Sequence, residues 1–185
     1  MLLRSGLLIV ALLMGQHALA AELDQQINQI YDRFVTAYQT LDASPLMTQY
    51  RDDACMMGVS EKDGFFTGKD EIEIAYQRWF DRIKAREGAI DIRFRVISRQ
   101  TQQQRVTDAG FYLIRYSPDN EHHQAATEFA GKFIMNFQHD QDASWQISID
   151  SASRVKAELF HQAVAQEGLY FAAPFTIMAA TPNQP

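Results

Sequence analysis

Residues 90–116 read IDIRFRVISRQTQQQRVTDAGFYLIRY, and their period decides the fold class. Ile90, Ile92, Phe94 and Val96 alternate with Asp91, Arg93, Arg95 and Ile97. A period of two marks a half-buried strand, because successive side chains point to opposite faces of a sheet. Val106–Tyr116 is a second such run, closed by the turn chemistry of Ser117-Pro118-Asp119-Asn120. Ala126–His139 is a third, Asp140–Ser144 a turn, and Trp145–Ser153 a fourth. Long strands joined by short polar turns imply an antiparallel meander.

Upstream of the meander the period is helical. Leu23, Ile27, Ile30, Tyr31, Phe34, Ala37, Tyr38 and Leu41 form one apolar stripe. Ser44-Pro45 reads as the N-cap and first residue of a short helix. Ala54–Val59 is a short apolar strand and Glu61–Gly64 a turn. Thr67–Asp70 resembles a capping box that opens a second long helix with Ile72, Ala75, Tyr76, Trp79, Phe80 and Ile83 on one face. Glu87-Gly88 closes it. Two amphipathic helices ahead of a meander predict an α+β domain with its helices packed on one sheet face. After Ser153 the spacing of Val155, Leu159, Ala163 and Val164 predicts a further helix ending at Gly168. The tail from Leu169 to Pro185 is apolar enough to need cover. It packs on its own domain, or it covers a partner subunit or a pocket mouth.

Composition bounds the function. The chain has 185 residues, 17 Lys and Arg against 23 Asp and Glu, and net charge −6. An acidic chain argues against general binding of nucleic acid or anionic membrane, both of which need a basic surface. Met1–Ala20 has the make-up of a cleavable signal peptide: Arg4, the apolar run Leu7–Met14, and Ala18-Leu19-Ala20 at the cleavage position. The run is shorter than the roughly 20 residues that span a bilayer. The expected compartment is therefore the periplasm or the exterior, with no stable membrane anchor. The expected boundaries are 1–20 for the signal peptide, 21–153 for the domain and 154–185 for the C-terminal helix and tail. Cys55 is the single cysteine, so no disulfide forms within the chain, and its apolar neighbours predict burial in a strand.

The order of helix, short helix, strand, helix and four strands resembles the nuclear transport factor 2-like (NTF2-like) superfamily. Three sets of phrases carry the likeness. Tyr50-Arg-Asp-Asp-Ala-Cys55 resembles the step from short helix into first strand, and Phe66-Thr-Gly68-Lys-Asp-Glu-Ile72 the entry into the second long helix. Ala109-Gly110-Phe-Tyr112, Gly131-Lys-Phe-Ile-Met-Asn-Phe137 and Trp145-Gln-Ile147 with Asp150 look like strands of the SnoaL-like and DUF4440 branch. The calmodulin-dependent kinase association domain is similar as well. The resemblance spans about Leu23–Ser153. It implies a cone: a curved sheet wrapped round the long helices, a pocket between them, and a homodimer through the outer sheet face. Its members use the pocket for isomerisation, cyclisation, dehydration or binding, so the fold does not fix the function.

Ketosteroid isomerisation on this scaffold needs an Asp base, a Tyr and a protonated Asp. In this sequence those roles fall at Gly58, Phe34 and Lys132 or Phe133, none of which supplies the group. Of the histidines outside the leader, His122, His123 and His139 lie at turns and His161 on the C-terminal helix, away from any apolar strand face. Neither Glu121-His122-His123 nor His139-Asp140 with Asp142 has metal-ligand spacing, so no metal or cofactor is expected.

The expected pocket residues are Phe34, Tyr38, Met56, Tyr76, Trp79, Tyr112, Lys132, Phe133 and Asp150. Alternation complicates two of them. The apolar register Phe129, Gly131, Phe133, Met135, Phe137 turns Lys132 outward, and Trp145, Ile147, Ile149 turns Asp150 outward, unless a bulge reverses the parity. The leading expectation is a module that binds a small, mostly apolar molecule, with or without an acid group. The alternatives are a metal-independent isomerase, dehydratase or cyclase using Tyr38, Asp150 and Lys132, and a purely structural role for the dimer and tail.

Overall fold

The computed structural model describes residues 3–59, 64–118, 125–139 and 144–175. Helix α1 (Leu3–Thr40) is followed by α2 (Ser44–Met47), β1 (Tyr50–Met57), β2 (Phe65–Thr67) and α3 (Lys69–Lys84). Then come β3 (Ala89–Gln102), β4 (Arg105–Ser117), β5 (Thr127–Gln138), β6 (Gln146–Val155) and α4 (Ala157–Gln162). The strands make one curved, unclosed sheet in the order β2-β1-β6-β5-β4-β3. All neighbours are antiparallel except β1 and β6, the first and last long segments, which run parallel. The α+β expectation and the meander hold.

Helices α1 and α3 lie on the inner face. The stripe from Ile27 to Leu41 is buried against Ile90, Ile92, Phe94, Phe133 and Phe137 from the strands. Tyr31 alone meets four rings, those of Phe94, Phe133, Phe137 and Tyr170. A second tie is polar. Tyr31 donates a hydrogen bond to Asp108 over 2.8 Å, and Arg99 holds both oxygens of the same carboxylate while reaching Asp24 and Asn28 on α1. Asp108 is wholly buried, so the guanidinium and the phenol are what make its charge tolerable there.

Several local expectations need correction. Helix α1 continues back to Leu3 instead of starting at Leu23, because the apolar run before Ala20 is itself helix-forming. Ala43, not Ser44, takes the N-cap position of the short helix, and Ser44 opens it with its amide and hydroxyl both donating to Asp42 Oδ1. No capping box forms at α3. Gly68 takes the N-cap position at φ 85°, a left-handed conformation that suits glycine, and Glu71 reaches back to the Thr67 amide. The first strand begins at Tyr50, not Ala54, and β2 was not expected. Cys55 is half-buried on β1. Glu87 takes the left-handed conformation after α3, and the Gly88 amide closes the helix on the Ile83 carbonyl.

The region after Ser153 differs most. Strand β6 runs on to Val155, and α4 is only six residues long. The chain then crosses to the free edge of β3. There the Val96 amide donates to the Tyr170 carbonyl over 2.8 Å and the Ala172 amide to the Phe94 carbonyl over 2.9 Å. Residues 170–172 thus extend the sheet, and they protect the edge that a long strand would otherwise leave open. On the outer face Arg95 lies between the rings of Phe160 and Phe171, 4.3 and 4.4 Å from their centres. It donates to the carbonyls of Phe160, His161 and Ala172. For the described part of the tail, residues 169–175, this is packing on its own domain; the remainder lies outside the described residues. The turns containing His122, His123 and Glu121, and Asp140 with Asp142, lie outside the described residues.

Candidate functional site

The inner face of the sheet and the two long helices enclose a cavity of about 360 Å³. That is within the range of small-molecule sites. Phe34 and Tyr38 reach it from α1, Tyr76 and Trp79 from α3, Met56 from β1, Tyr112 from β4 and Phe133 from β5. The hollow exists because aromatic rings stack along the walls instead of across the middle. Tyr38 meets Trp79 and Phe80 edge to face at 5.3 and 5.4 Å, and Phe34 meets Phe94 at 5.6 Å. Gly131 matters to this shape, since a Cβ there would run into the Tyr112 ring.

Asp150 also lines the cavity, against the alternation of its strand. The cause is one extra residue. Asn136 pairs with Ile149 and Phe137 with Ile147, so Ser148 is a bulge. Ile147 is buried, Ile149 is turned outward, and Asp150 is buried on the inner face. Lys132 obeys simple alternation and is exposed on the outer face, opposite Phe111 and Ser153. It is not a pocket residue, and no Lys132–Asp150 pair forms. The other eight expected residues line the cavity.

Tyr50, which the sequence reading did not select, completes the polar group. Its hydroxyl donates to Asp150 Oδ2 over 2.6 Å, and Tyr76 Oη approaches the same oxygen at 3.4 Å. Burial pushes the Asp150 carboxyl above the usual carboxylate range, and the two phenols pull partly back. Asp150 Oδ1 has no hydrogen-bond partner among the described residues. The hydroxyls of Tyr38 and Tyr112 likewise face the cavity without a partner among them. Burial raises both phenols, Tyr112 to about 12, so they are hydrogen-bond donors at neutral pH. The interior of the cavity therefore offers two phenol donors and one carboxyl acceptor on an apolar wall. Among the described residues no three His, Cys, Asp or Glu side chains cluster to hold a metal. Phe34 and Gly58 line the cavity as apolar wall and backbone.

Solved structures share this architecture. An NTF2-like protein with a cystatin-like fold from Novosphingobium aromaticivorans matches 77% of this chain and 88% of its own at TM-score 0.64 and 10% identity. ActVI-ORFA from Streptomyces coelicolor matches 72% and 97% at TM-score 0.62 and 10% identity. A ketosteroid isomerase-like protein from Erwinia carotovora atroseptica matches 69% and 92% at TM-score 0.52 and 16% identity. The chain thus has the NTF2-like, cystatin-like fold. No family model matches the sequence, and no curated protein does.

Proposed function

We propose that the chain is a small-molecule binding protein whose cavity takes a mostly apolar compound bearing one or two hydrogen-bonding groups. The observation that carries this reading is the set of unpartnered polar atoms facing the hollow: Tyr38 Oη, Tyr112 Oη and Asp150 Oδ1. Polar atoms with no protein partner in an apolar site are what a ligand or ordered water satisfies. The neutral fluorophore 1-aminoanthracene tests it. Wild type is expected to bind one equivalent with enhanced emission, and Ala152→Phe, which fills the cavity, is expected to lose it while keeping its far-UV circular dichroism. A wild type that leaves the fluorophore dark defeats the proposal.

A second reading is favoured by the raised Asp150 carboxyl with one oxygen facing the cavity. A carboxylate of raised basicity is matched to removing a proton from carbon, and a phenol donor is matched to the oxyanion that forms. Isomerisation, dehydration or cyclisation would follow, without Lys132. Loss of α-deuterium from cyclic ketones, followed by NMR in wild type and Asp150→Asn, separates the two readings. Exchange in wild type alone favours the enzyme, and exchange in neither favours the binding module.

The same proposal places the mature protein, cleaved after Ala20, in the periplasm or outside the cell. Among the described side chains every buried residue of the main core lies at Ile27 or later, which is compatible with cleavage there. N-terminal sequencing of the exported protein tests it, with Ala21 as the expected first residue. We also propose a homodimer through the outer face. α4 and the tail cover part of that face, but Ile134 and Ile149 remain 50% and 46% exposed on neighbouring strands. Ile134→Asp with Ile149→Asp is expected to convert a dimer to monomer in analytical ultracentrifugation. An unchanged mass removes this surface from consideration.

A further inference from the structure

We propose that the mouth of the cavity recognises the anionic head of an amphiphile through Arg78, Arg82 and Arg154. The inference rests on the cavity being a ligand site and adds the class of ligand. Arg78 and Arg82 are one turn apart on α3, so both project from the same helix face as Trp79 and Ala75 of the cavity wall. Arg154 comes from β6, with its guanidinium over the Phe129 ring at 5.0 Å. All three are exposed and line the cavity, which sets them at its opening.

None of the three has an acidic partner among the described residues. Some cations of this chain are paired, as Lys69 is with Asp52, Arg93 with Asp91, and Arg99 with Asp24 and Asp108; these three instead converge on one opening. In a chain of net charge −6, three unpaired guanidiniums round one opening are a local reversal of sign. Guanidinium is the side chain best matched to a carboxylate or phosphate, through paired N–H donors. Arg154 is held over its ring, which limits the freedom it loses on binding.

The interior fixes the direction of entry. Among the described residues Asp150 is the only acidic one on the cavity wall, and it lies buried beneath Tyr76. A second acid group beside it would be desolvated in the same low-dielectric site, where ionising both is disfavoured. An acid head therefore stays at the arginines, while the apolar body enters between Phe34, Trp79 and Phe133. The cation that the sequence suggested for this purpose, Lys132, is on the other side of the sheet.

Isothermal titration of the full chain with dodecanoate, dodecanol and dodecyltrimethylammonium at pH 8, below their micelle concentrations, tests the proposal. The three probes share an apolar body and differ in head charge. Dodecanoate is expected to bind about tenfold more tightly than dodecanol at low salt, with the gap shrinking as salt rises, and the cation more weakly than either. Arg78→Gln with Arg82→Gln and Arg154→Gln is expected to bring dodecanoate down to the alcohol's affinity, and Lys132→Gln to leave it as in wild type. Equal affinity for acid and alcohol, or a preference that survives the triple substitution, overturns the arginine proposal while the cavity reading stands. Failure of all three probes overturns both.

Discussion

Tyr50 Oη lies 2.6 Å from Asp150 Oδ2, and this bond joins the first long strand to the last. It holds one carboxylate oxygen against the wall and leaves the other toward the cavity. The site is therefore part of the seam that brings β1 alongside β6.

Asp150 makes stability depend on pH. Its folded value lies above the unfolded value of about 3.9, so the folded state binds more protons between the two. Stability is present below about pH 3.9 and declines as pH rises through the folded value. Asp150→Asn removes the titration. We expect the variant to have a higher Tm than wild type at neutral pH, with the gap closing as the pH falls toward 4. A constant gap from acid to neutral pH, read by differential scanning fluorimetry, contradicts this assignment.

Gly131 is needed for the shape of the cavity. Gly131→Ala sets a methyl into the Tyr112 ring, which must then swing into the hollow or strain the strand. Overpacking of this kind costs about 1–3 kcal/mol. Urea unfolding is expected to show that loss, and 1-aminoanthracene binding is expected to weaken in the same variant.

The buried Arg99–Asp108 pair is sensitive to removal of one partner. Arg99→Ala leaves Asp108 wholly buried with Tyr31 as its remaining donor among the described residues. Stranding a buried charge costs about 3–5 kcal/mol. Replacing both partners, by Arg99→Met with Asp108→Leu, is expected to be less damaging than the single change. The comparison is made by chemical denaturation, and a double variant worse than the single one counts against a desolvation penalty.

The strap of residues 170–172 is tested at Phe171. Phe171→Ala removes one of the two rings that enclose Arg95, at a cost of about 0.5–2 kcal/mol. Removing residues 169–185 is expected to cost more and to promote association, because the β3 edge is freed. Light scattering during heating gives the readout. A truncated chain that melts and scatters like wild type would show the strap to be dispensable.

The fold was legible because its signals are periodic. Helical stripes and strand alternation set the order of the elements, and alternation placed Phe133 inward and Lys132 outward. Asp150 was expected in the pocket although alternation alone turned it outward; the bulge at Ser148 shifts the parity, and nothing in Trp145–Ser153 marks where it falls. Tyr50 was visible only as part of a helix-to-strand phrase, since its partner is 100 residues away. Arg78 and Arg82 look like any solvated helix cations until the cavity beside them is known. The strap was hidden for another reason: a three-residue addition to a sheet edge is too short to show a period.

The strap also fastens a late segment to the first helix. Tyr170 donates to Asp32, and Asn28 to the Gly168 carbonyl, so the final described segment clasps the first helix. A growing chain cannot make those contacts until Tyr170 has left the ribosome. The strap is therefore among the later contacts to form, and until it does the β3 edge stays open to other chains.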